Sequence, residues 1–279
     1  MDIISTRAVA EVLGVSEATV KRWSDAGTLR CFRTPGGHRK FRLRDVKAFL
    51  SDTHEAGVAP PRIAPPSKEL SEQQSDARAL ALAGDVDGLV SLVAQERLQG
   101  ISLALTFDRI FAPAMADIGE GWAEGRISAA QEHLASAAVG DMLARVRPLI
   151  ERTSRADRGR ALCACLGGEH HDLAVRMVAL VLAAEGYRAA LLGANVPAGD
   201  LALLIAADPP AILALSASVH ARPDALRGDL AVVAGAAAAA RTRLIVGGAG
   251  FAAVANLPGN ATRYESLEAI AASTQAATG

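Results

Sequence analysis

The chain has 279 residues, of which 51% are hydrophobic and 21% are charged, and its formal net charge is −1. This length predicts about two or three domains of roughly 100–150 residues each, and the hydrophobic content is ample for packed cores. The longest apolar runs, such as residues 231–240, are shorter than the about 20 helical residues that span a bilayer, and no N-terminal signal pattern is visible. These features argue against a membrane protein, and we expect a cytoplasmic one.

Cysteine usage argues against a cysteine-rich metal site. The chain contains only Cys31, Cys163 and Cys165. The last two are separated by one residue and lie in an apolar run, so they would point to the same face of a predicted strand. We expect simple burial for both.

The near-zero net charge conceals an asymmetry along the chain. Residues 1–50 carry ten Lys or Arg and five Asp or Glu, a net of 10 − 5 = +5, so the remainder carries −1 − 5 = −6. A small basic segment on a mildly acidic body predicts that the first part binds a polyanion and the rest does not.

The basic segment has the pattern of a helix-turn-helix followed by a hairpin. Ser5-Thr6 can cap a short helix through Leu13, and Ser16 can cap a second helix whose Val20 and Trp23 face inward. Pro35-Gly36-Gly37 predicts the tip of a basic β-hairpin, and a closing helix follows over residues 45–50. The exposed candidates for contact with DNA are Thr19, Lys21 and Arg22 on the second helix and Arg33, His38, Arg39 and Lys40 on the hairpin.

Three stretches in this order, VSEATVKRW, GTLRCFRTPGGHRKF and RLRDVKAFL, resemble the winged helix-turn-helix domain of the MerR family. The resemblance implies a dimer that binds inverted repeats in a double-stranded DNA operator. The second helix would read bases in the major groove, and the cations of the hairpin would contact phosphates.

A proline-rich stretch and a helical region come next. Four prolines among polar residues predict an extended, mobile linker over residues 53–75. Segments of helical period at 77–83, 86–99, 102–118 and 128–150 predict a four-helix bundle over residues 76–155. Trp122 lies in the last connection and Glu132-His133 in the fourth helix. Without further context, the tryptophan is typical of a core or lid aromatic and the Glu-His pair of a solvated helix face.

Residues 156–279 alternate short apolar runs with helical stretches, which predicts a Rossmann-like, flavodoxin-like, doubly wound parallel sheet. The predicted strands are 161–166, 189–192, 211–215, 243–246 and 261–263. The loop after the first strand carries Glu169, His170, His171 and Asp172 and leads into a helix over 173–185. Ser216 and Gly247-Gly248 follow two other strands at the same edge of the sheet. The loop is either a metal or cofactor site, in which a carboxylate orients a ligating imidazole, or a polar loop that caps the helix with Asp172 in its first turn.

These residues resemble the motif of cobalamin-binding domains. In that motif an acid and a histidine separated by one residue are followed by Ser-x-Leu and then by Gly-Gly. Here 41 residues separate Ala174 from Ser216, and 28 separate Ser218 from Gly247. The resemblance implies that His171 is the lower cobalt ligand and Glu169 its orienting carboxylate. It also implies that Ser216, Ser218, Gly247 and Gly248 line the slot for the displaced benzimidazole tail, with His170 and Asp172 on the adjoining loop. Ala174 replaces the motif glycine and Ser218 the usual leucine.

The order of a MerR-type head, helical bundle and cobalamin domain resembles the CarH and LitR group of photoreceptor repressors. In that group a Trp followed after nine residues by Glu-His caps the upper face of adenosylcobalamin, and Trp122 with Glu132-His133 has that spacing. The resemblance implies a tetramer that binds DNA in the dark and loses affinity when light cleaves the cobalt–carbon bond.

One further position departs from this group. Its best-known members have a histidine directly after the tryptophan, which takes the upper cobalt position after illumination, whereas this chain has Ala123. This predicts a less stable or more reversible light state. The alternatives are a MerR-type regulator that senses cobalamin or another chromophore without this photochemistry, or a corrinoid methyl-transfer module. The domain boundaries that follow are 1–52, 53–75, 76–155 and 156–279.

Overall fold

The structure, a computed structural model, describes residues 3–6, 9–10, 16–34, 36–42, 45–46, 49, 70–154 and 157–275. The chain separates into two compact units, Met1–Thr153 and Ser154–Gly279. Within the described ranges, no helix combines the length and the apolar composition needed to cross a membrane.

The N-terminal segment contains a small antiparallel sheet. Its strands are β1 (Ile3–Ser5), β2 (Phe32–Arg33) and β3 (Arg39–Arg42), in the order β1-β3-β2. Strand β1 is not among the elements predicted from the sequence, and its last residue, Ser5, pairs with Lys40. The β-branched Ile3 and Ile4 favour an extended backbone there. Most of the predicted first helix and of the linker, and half of the closing helix, lie outside the described residues.

Helix α1 (Glu17–Asp25) forms as the sequence predicts. Ser16 caps it, because its Oγ accepts a hydrogen bond from the backbone N–H of Thr19 at 3.2 Å. Val20 and Trp23 are buried, and the ring of Trp23 packs against that of Phe49 with centroids 5.3 Å apart. The polar face of the helix is therefore the one turned to solvent.

A hairpin connects β2 to β3, as Pro-Gly-Gly predicts. The N–H of Thr34 donates to the carbonyl of His38 at 3.0 Å, and the N–H of Gly37 donates to the carbonyl of Thr34 at 2.8 Å. Gly37 has a φ of +78°, which a residue without a side chain adopts at little cost. The basic residues on both strands are thus held around one tight turn.

Helices predominate among the described residues from 70 to 153, and they include α2 (Leu70–Leu82), α3 (Val86–Leu98), α4 (Leu103–Thr106), α5 (Ala112–Ala123) and α6 (Ala129–Thr153). A π-helical turn, Phe107–Phe111, joins α4 to α5 without a break. Helices α2, α3 and α5 all pack on α6. The bundle core contains Phe107, Phe111, Ile118 and Met142, each almost fully buried.

Two boundaries of the bundle differ from the prediction. Helix α2 begins at Leu70, inside the predicted linker. Residues 70–76 contain no helix breaker, but they lack the apolar period by which a helix is predicted. Helix α5 continues to Ala123, so Trp122 lies on its last turn and not in a connection. Gly121, on the same turn, allows close packing, because a Cβ there would lie 2.7 Å from Cδ1 of Ile127.

The second unit contains a parallel sheet of β4 (Arg160–Leu166), β5 (Arg188–Val196), β6 (Ile212–Ser216), β7 (Arg243–Gly247) and β8 (Ala261–Tyr264), in the order β5-β4-β6-β7-β8. The connecting helices are α7 (Leu173–Ala184), α8 (Ala198–Ala207), α9 (Pro223–Ala239), α10 (Ala249–Ala252) and α11 (Leu267–Gln275). Helix α7 packs against α11, and α8 against α9. The predicted doubly wound sheet is confirmed, with Ser216 as the last residue of β6 and not the first after it.

Strand β4 is buried on both faces. Leu162, Ala164 and Leu166 join a core cluster with residues of α8 and α9. Cys163 and Cys165 alternate with them and are fully buried on the opposite face, as predicted. This central strand therefore provides a rigid base for the loop that follows it.

Candidate functional site

The site lies where the strand order of the parallel sheet reverses. The chain leaves β4 towards the edge strand β5, whereas it leaves β6 in the opposite direction towards β7. In sheets of this kind, ligands bind outside the carboxyl ends of the two strands at which the order reverses. The loops at this point are 167–172 and 217–222.

A buried carboxylate holds an exposed imidazole in the first of these loops. The side chain of Glu169 is 2% exposed and that of His171 is 59% exposed. Oε1 of Glu169 lies 2.8 Å from the ring Nδ1 of His171 and accepts a hydrogen bond from the backbone N–H of His171 at 2.8 Å. This contact turns Nδ1 towards the carboxylate, so Nε2 is the nitrogen left to bind a metal.

The second loop completes the hydrogen bonding of the carboxylate. The backbone N–H of Ser218 donates to Oε2 of Glu169 at 2.6 Å, and Oγ of Ser218 lies 3.3 Å from Nδ1 of His171. Burial alone would raise the pKa of the Glu169 carboxyl, but the hydrogen bonds from His171 and Ser218 outweigh it and lower the pKa below the ordinary value of 4.5. Glu169 is therefore ionised at neutral pH.

Two residues that the sequence analysis missed support this arrangement. The ring of His220 lies 4.8 Å from that of His171, centroid to centroid, with 30° between the planes. Asn195, at the end of β5, accepts a hydrogen bond from the N–H of Gly168 at 2.8 Å and donates its own N–H to the carbonyl of Glu169 at 2.9 Å. The positive φ of +55° at Asn195 is one that Asn tolerates well, but nothing in the sequence links His220 to His171.

The two remaining polar residues of the first loop are placed differently. His170 is exposed. Asp172 occupies the position before α7, but its carboxylate does not cap the helix and instead pairs with Arg176 at 2.7 Å. The loop is therefore not a simple helix cap, because Asp172 pairs with the guanidinium of Arg176 and Glu169 holds the imidazole of His171.

The Gly-Gly segment packs against the Ser218 loop. Gly248 has a φ of +90°, and a Cβ there would lie 2.3 Å from the carbonyl oxygen of Ala217. Ser216 is buried and pairs with Gly247 in the sheet, where a Cβ on Gly247 would lie 3.1 Å from the carbonyl of Tyr264. The absent side chains thus let neighbouring backbone segments approach each other, and any contact of this segment with a nucleotide stays a prediction.

The thiol nearest the site, that of Cys165, is unreactive. Sγ of Cys165 lies 3.7 Å from the carbonyl oxygen of His171. Burial, reinforced by the negative charges of Glu169 and Asp172, raises the pKa of Cys165 to about 12. The thiol is therefore protonated at neutral pH and unsuited to bind a metal.

The predicted residues of the helical bundle are accessible. Trp122 is 45% exposed on the last turn of α5. On α6, Oε2 of Glu132 lies 2.9 Å from Nδ1 of His133, and Oε1 of Glu132 accepts a hydrogen bond from Ser136 at 2.6 Å. The imidazole of His133 is 80% exposed. A large aromatic and a carboxylate-bound imidazole are thus available to a ligand on this unit.

The predicted DNA-contacting residues fall into two groups. Lys21, Arg22 and His38 are exposed, Thr19 and Lys40 are half-buried, and Arg33 is 57% exposed. Arg33 and Arg39 both form ion pairs with Asp25 at the end of α1, but Arg39 is only 17% exposed. Arg39 therefore ties the hairpin to the helix, which leaves less of it available to a phosphate.

Among the described residues, no group of three or more His, Cys, Asp or Glu side chains could hold a metal ion by itself. A metal already enclosed in a macrocycle needs only one axial ligand from the protein, and His171 is suited to that role. The donor set therefore fits a cobalt corrinoid better than a bare metal ion.

Comparison with known families agrees with this geometry. The family described as "B12 binding domain" matches twice, once over the helical residues 75–147 and once over residues 159–265 of the sheet. The family described as "Helix-turn-helix domain" matches residues 3–54. A cobalamin-type cofactor and DNA binding are both supported by these matches.

Individual proteins resemble the chain over most of its length. The HTH-type transcriptional repressor CarH of Myxococcus xanthus is 31% identical over 230 residues, which cover 74% of this chain and 76% of CarH. The repressor CarA of the same organism is 28% identical over 227 residues, which cover 75% of each chain.

A solved structure, the monomethylamine corrinoid protein of Methanosarcina barkeri, superposes with a TM-score of 0.58 at 16% identity, covering 75% of this chain and all of that protein. At this identity the likeness concerns the fold alone. Taken with the family matches and the two repressors, the chain belongs to the CarH-like family of transcriptional regulators, which carry a cobalamin-binding domain and an N-terminal helix-turn-helix domain.

Proposed function

We propose that this chain is a repressor that uses adenosylcobalamin as a light-sensitive ligand to control its binding to a DNA operator. The observation that carries the proposal is the pair formed by Glu169 and His171, in which a buried, ionised carboxylate fixes the orientation of an exposed imidazole. Similarity to CarH over three quarters of the chain supports the regulatory role.

His171 is the proposed lower ligand of cobalt, through Nε2. A neutral imidazole suits this metal, and the hydrogen bond from Nδ1 to Glu169 fixes the required tautomer and increases the basicity of Nε2. The neighbouring residues proposed to contact the cofactor are His170, Asp172, Ser216, Ser218, Gly247 and Gly248. Of these, Asp172 is already paired with Arg176, so we expect it to order its loop more than to touch the ligand.

Trp122, Glu132 and His133 are the proposed contacts of the upper ligand. The cofactor, when bound, supplies a cobalt–carbon bond that light cleaves. An exposed indole offers an apolar surface to the adenosyl group, and the Glu132–His133 pair offers hydrogen-bonding groups. Ala123 has no side chain able to bind a metal, so we expect the illuminated protein to lack an imidazole ligand from this position.

The N-terminal residues 1–52 are proposed to act as a MerR-type winged helix-turn-helix domain. Helix α1 would present Thr19, Lys21 and Arg22 to the major groove, and the hairpin would place Arg33, His38 and Lys40 near phosphates, with Arg39 holding the two elements together. One such domain makes few phosphate contacts, so strong binding requires a dimer or tetramer in which several heads act together.

The remaining boundaries of the proposal are a linker at 53–75, a helical domain at 76–155 and a cobalamin domain at 156–279. Helix α2 begins at Leu70, so the helical domain extends into the proposed linker.

Two alternatives remain tied to observations. Ala123, Ala174 and Ser218 depart from the photoreceptor pattern, which favours a regulator that senses the identity of a corrinoid or another chromophore without photochemistry. The fold is also that of a corrinoid protein, which leaves a methyl-transfer module as the enzyme alternative.

The test is the absorption spectrum of the full chain loaded with adenosylcobalamin, recorded in the dark and after green light, together with its elution volume and its binding to DNA. We expect a light-dependent spectral change, a smaller assembly and weaker DNA binding. Loading with hydroxocobalamin, which lacks the adenosyl group, is the control for the ligand, and His171→Ala is the control for the site. No spectral change refutes the light response, and turnover with a methyl donor and acceptor would support the enzyme alternative.

A further inference from the structure

His220 lies beside the proposed cobalt ligand, and the motif spacing leaves it without a role. Its ring centroid is 4.8 Å from that of His171, and the two planes are tilted by 30°. Aromatic pairs prefer offset or tilted arrangements with centroids about 4.5–7 Å apart. The two rings therefore stand in a favourable stacking geometry.

The backbone holds His220 in that position. Its N–H donates to Oγ of Ser218 at 3.2 Å, and the N–H of Ser218 donates to the buried carboxylate of Glu169 at 2.6 Å. The loop that carries His220 is thus attached to the same carboxylate that binds Nδ1 of His171. Three hydrogen bonds within the site therefore connect the backbone of His220 to the ring of His171.

A hydrogen bond at Nδ1 fixes one edge of the His171 ring, but more than half of that side chain is exposed. An exposed ring can still tilt about its hydrogen bond, which moves Nε2 away from the direction that a metal requires. A second ring stacked on its face opposes this motion, because tilting breaks the contact between the rings. Stacking needs a flat ring and not a charge, so phenylalanine can replace histidine in this role.

We propose that His220 is a positioning residue, which holds the ring plane of His171 by stacking and thereby strengthens the binding of cobalt by Nε2. The inference rests on the proposed binding of cobalamin by His171. Loss of a single aromatic contact corresponds to about a two- to tenfold loss of affinity. The proposal predicts that His220→Ala weakens the binding of cobalamin by this factor and that His220→Phe restores the wild-type affinity.

The first experiment needs no cofactor. NMR spectra of the full chain with labelled histidine, assigned with His171→Ala, report the ring signals of His171 in the wild type and in His220→Ala and His220→Phe. We expect the His171 ring protons to move downfield and broaden when the neighbouring ring is removed, and to remain near their original positions with phenylalanine. Val219→Ala, in the same exposed loop, is the matched control and should leave these signals unchanged.

The second experiment uses the same variants loaded with cobalamin in the Co(II) state. Electron paramagnetic resonance reports the nitrogen splitting from the axial imidazole, and titration gives the affinity. We expect a less uniform splitting and weaker binding for His220→Ala, and wild-type behaviour for His220→Phe. A His220→Ala variant that matches the wild type in splitting and affinity, or a His220→Phe variant that fails to recover both, overturns the inference while leaving the proposed function intact. A wild-type chain that binds no cobalamin overturns both.

Discussion

Replacing Glu169 by Gln tests whether the buried carboxylate organises the site. The carboxylate accepts hydrogen bonds from the N–H groups of His171 and Ser218 and contacts Nδ1 of His171. An amide has only one acceptor oxygen, so its NH2 group must face at least one of these donors. A hydrogen bond to a charged group contributes about 1.5–3 kcal/mol, and an unsatisfied buried donor costs about 1–3 kcal/mol. We expect Glu169→Gln to lower the unfolding free energy of the second unit by about 2–4 kcal/mol at neutral pH.

The effect has a defined pH dependence. The pKa of Glu169 is lower in the folded protein than its ordinary value of 4.5, so its contribution is complete above 4.5 and is lost as the pH falls through the folded value. The difference between the variant and the wild type should therefore shrink in acid. Both tryptophans lie in the first unit, so fluorescence does not report on this change. Hydrogen exchange of peptides from β4 and β6, measured by mass spectrometry in denaturant, reports it directly.

The matched control is Glu265→Gln, which removes an exposed carboxylate from the same unit and should change stability by less than about 0.5 kcal/mol. The same Glu169 variant should bind cobalamin about 10–100-fold more weakly, because it loses the group that orients the ligand. An equal stability loss at neutral and acidic pH would refute the assignment of an ionised Glu169, since a neutral side chain has no such dependence.

Three further outcomes are expected. Gly248→Ala should destabilise the second unit by about 2 kcal/mol or more, because its Cβ would lie 2.3 Å from the carbonyl oxygen of Ala217. Urea unfolding followed by circular dichroism measures this change. The control is Gly199→Ala, in open space at the start of α8, which should be neutral or stabilising. Lys40→Ala should reduce the slope of log affinity against log salt by about one for duplex DNA, and an unchanged slope would remove Lys40 from the phosphate contacts. Trp122→Ala should weaken the binding of adenosylcobalamin more than that of hydroxocobalamin, as measured by titration, and an equal loss for both ligands would argue against contact with the adenosyl group.

The sheet was predictable because its strands are short apolar runs with clear turn signals between them. Even β8, with four residues, begins where the pattern indicates. Strand β1 was not predictable, because its three residues are stabilised by pairing with β3, which lies far away in the sequence. The end of α5 was missed because glycine disfavours a helix interior, whereas the folded helix continues through Gly121, whose missing Cβ leaves room for the side chain of Ile127.

Within the site, only the contacts between residues of one loop were predictable from the sequence. Glu169 and His171 are two residues apart, so their hydrogen bond follows from local spacing. The hydrogen bond that Ser218 donates to Glu169 comes from its backbone N–H, which every residue but proline has, so no side-chain pattern indicates that bond. His220 meets His171 through folding alone, because the loops after β4 and β6 come together only when the strands pair.

The π-helical turn at Phe107–Phe111 sets the rotation of α5 about its axis relative to α4. A π turn accommodates one residue more than an α turn, and each residue rotates the helix by about 100°. Gln74 donates a hydrogen bond to the carbonyl of Arg109 within this turn at 2.7 Å, so the irregular backbone is held by a neighbouring helix. The angular position of Trp122 on α5 relative to α4 therefore depends on this turn. Across related sequences, the gain or loss of one residue in this turn would rotate the exposed indole about the helix axis, and the buried Ile118 with it, so the core would have to repack around the new orientation.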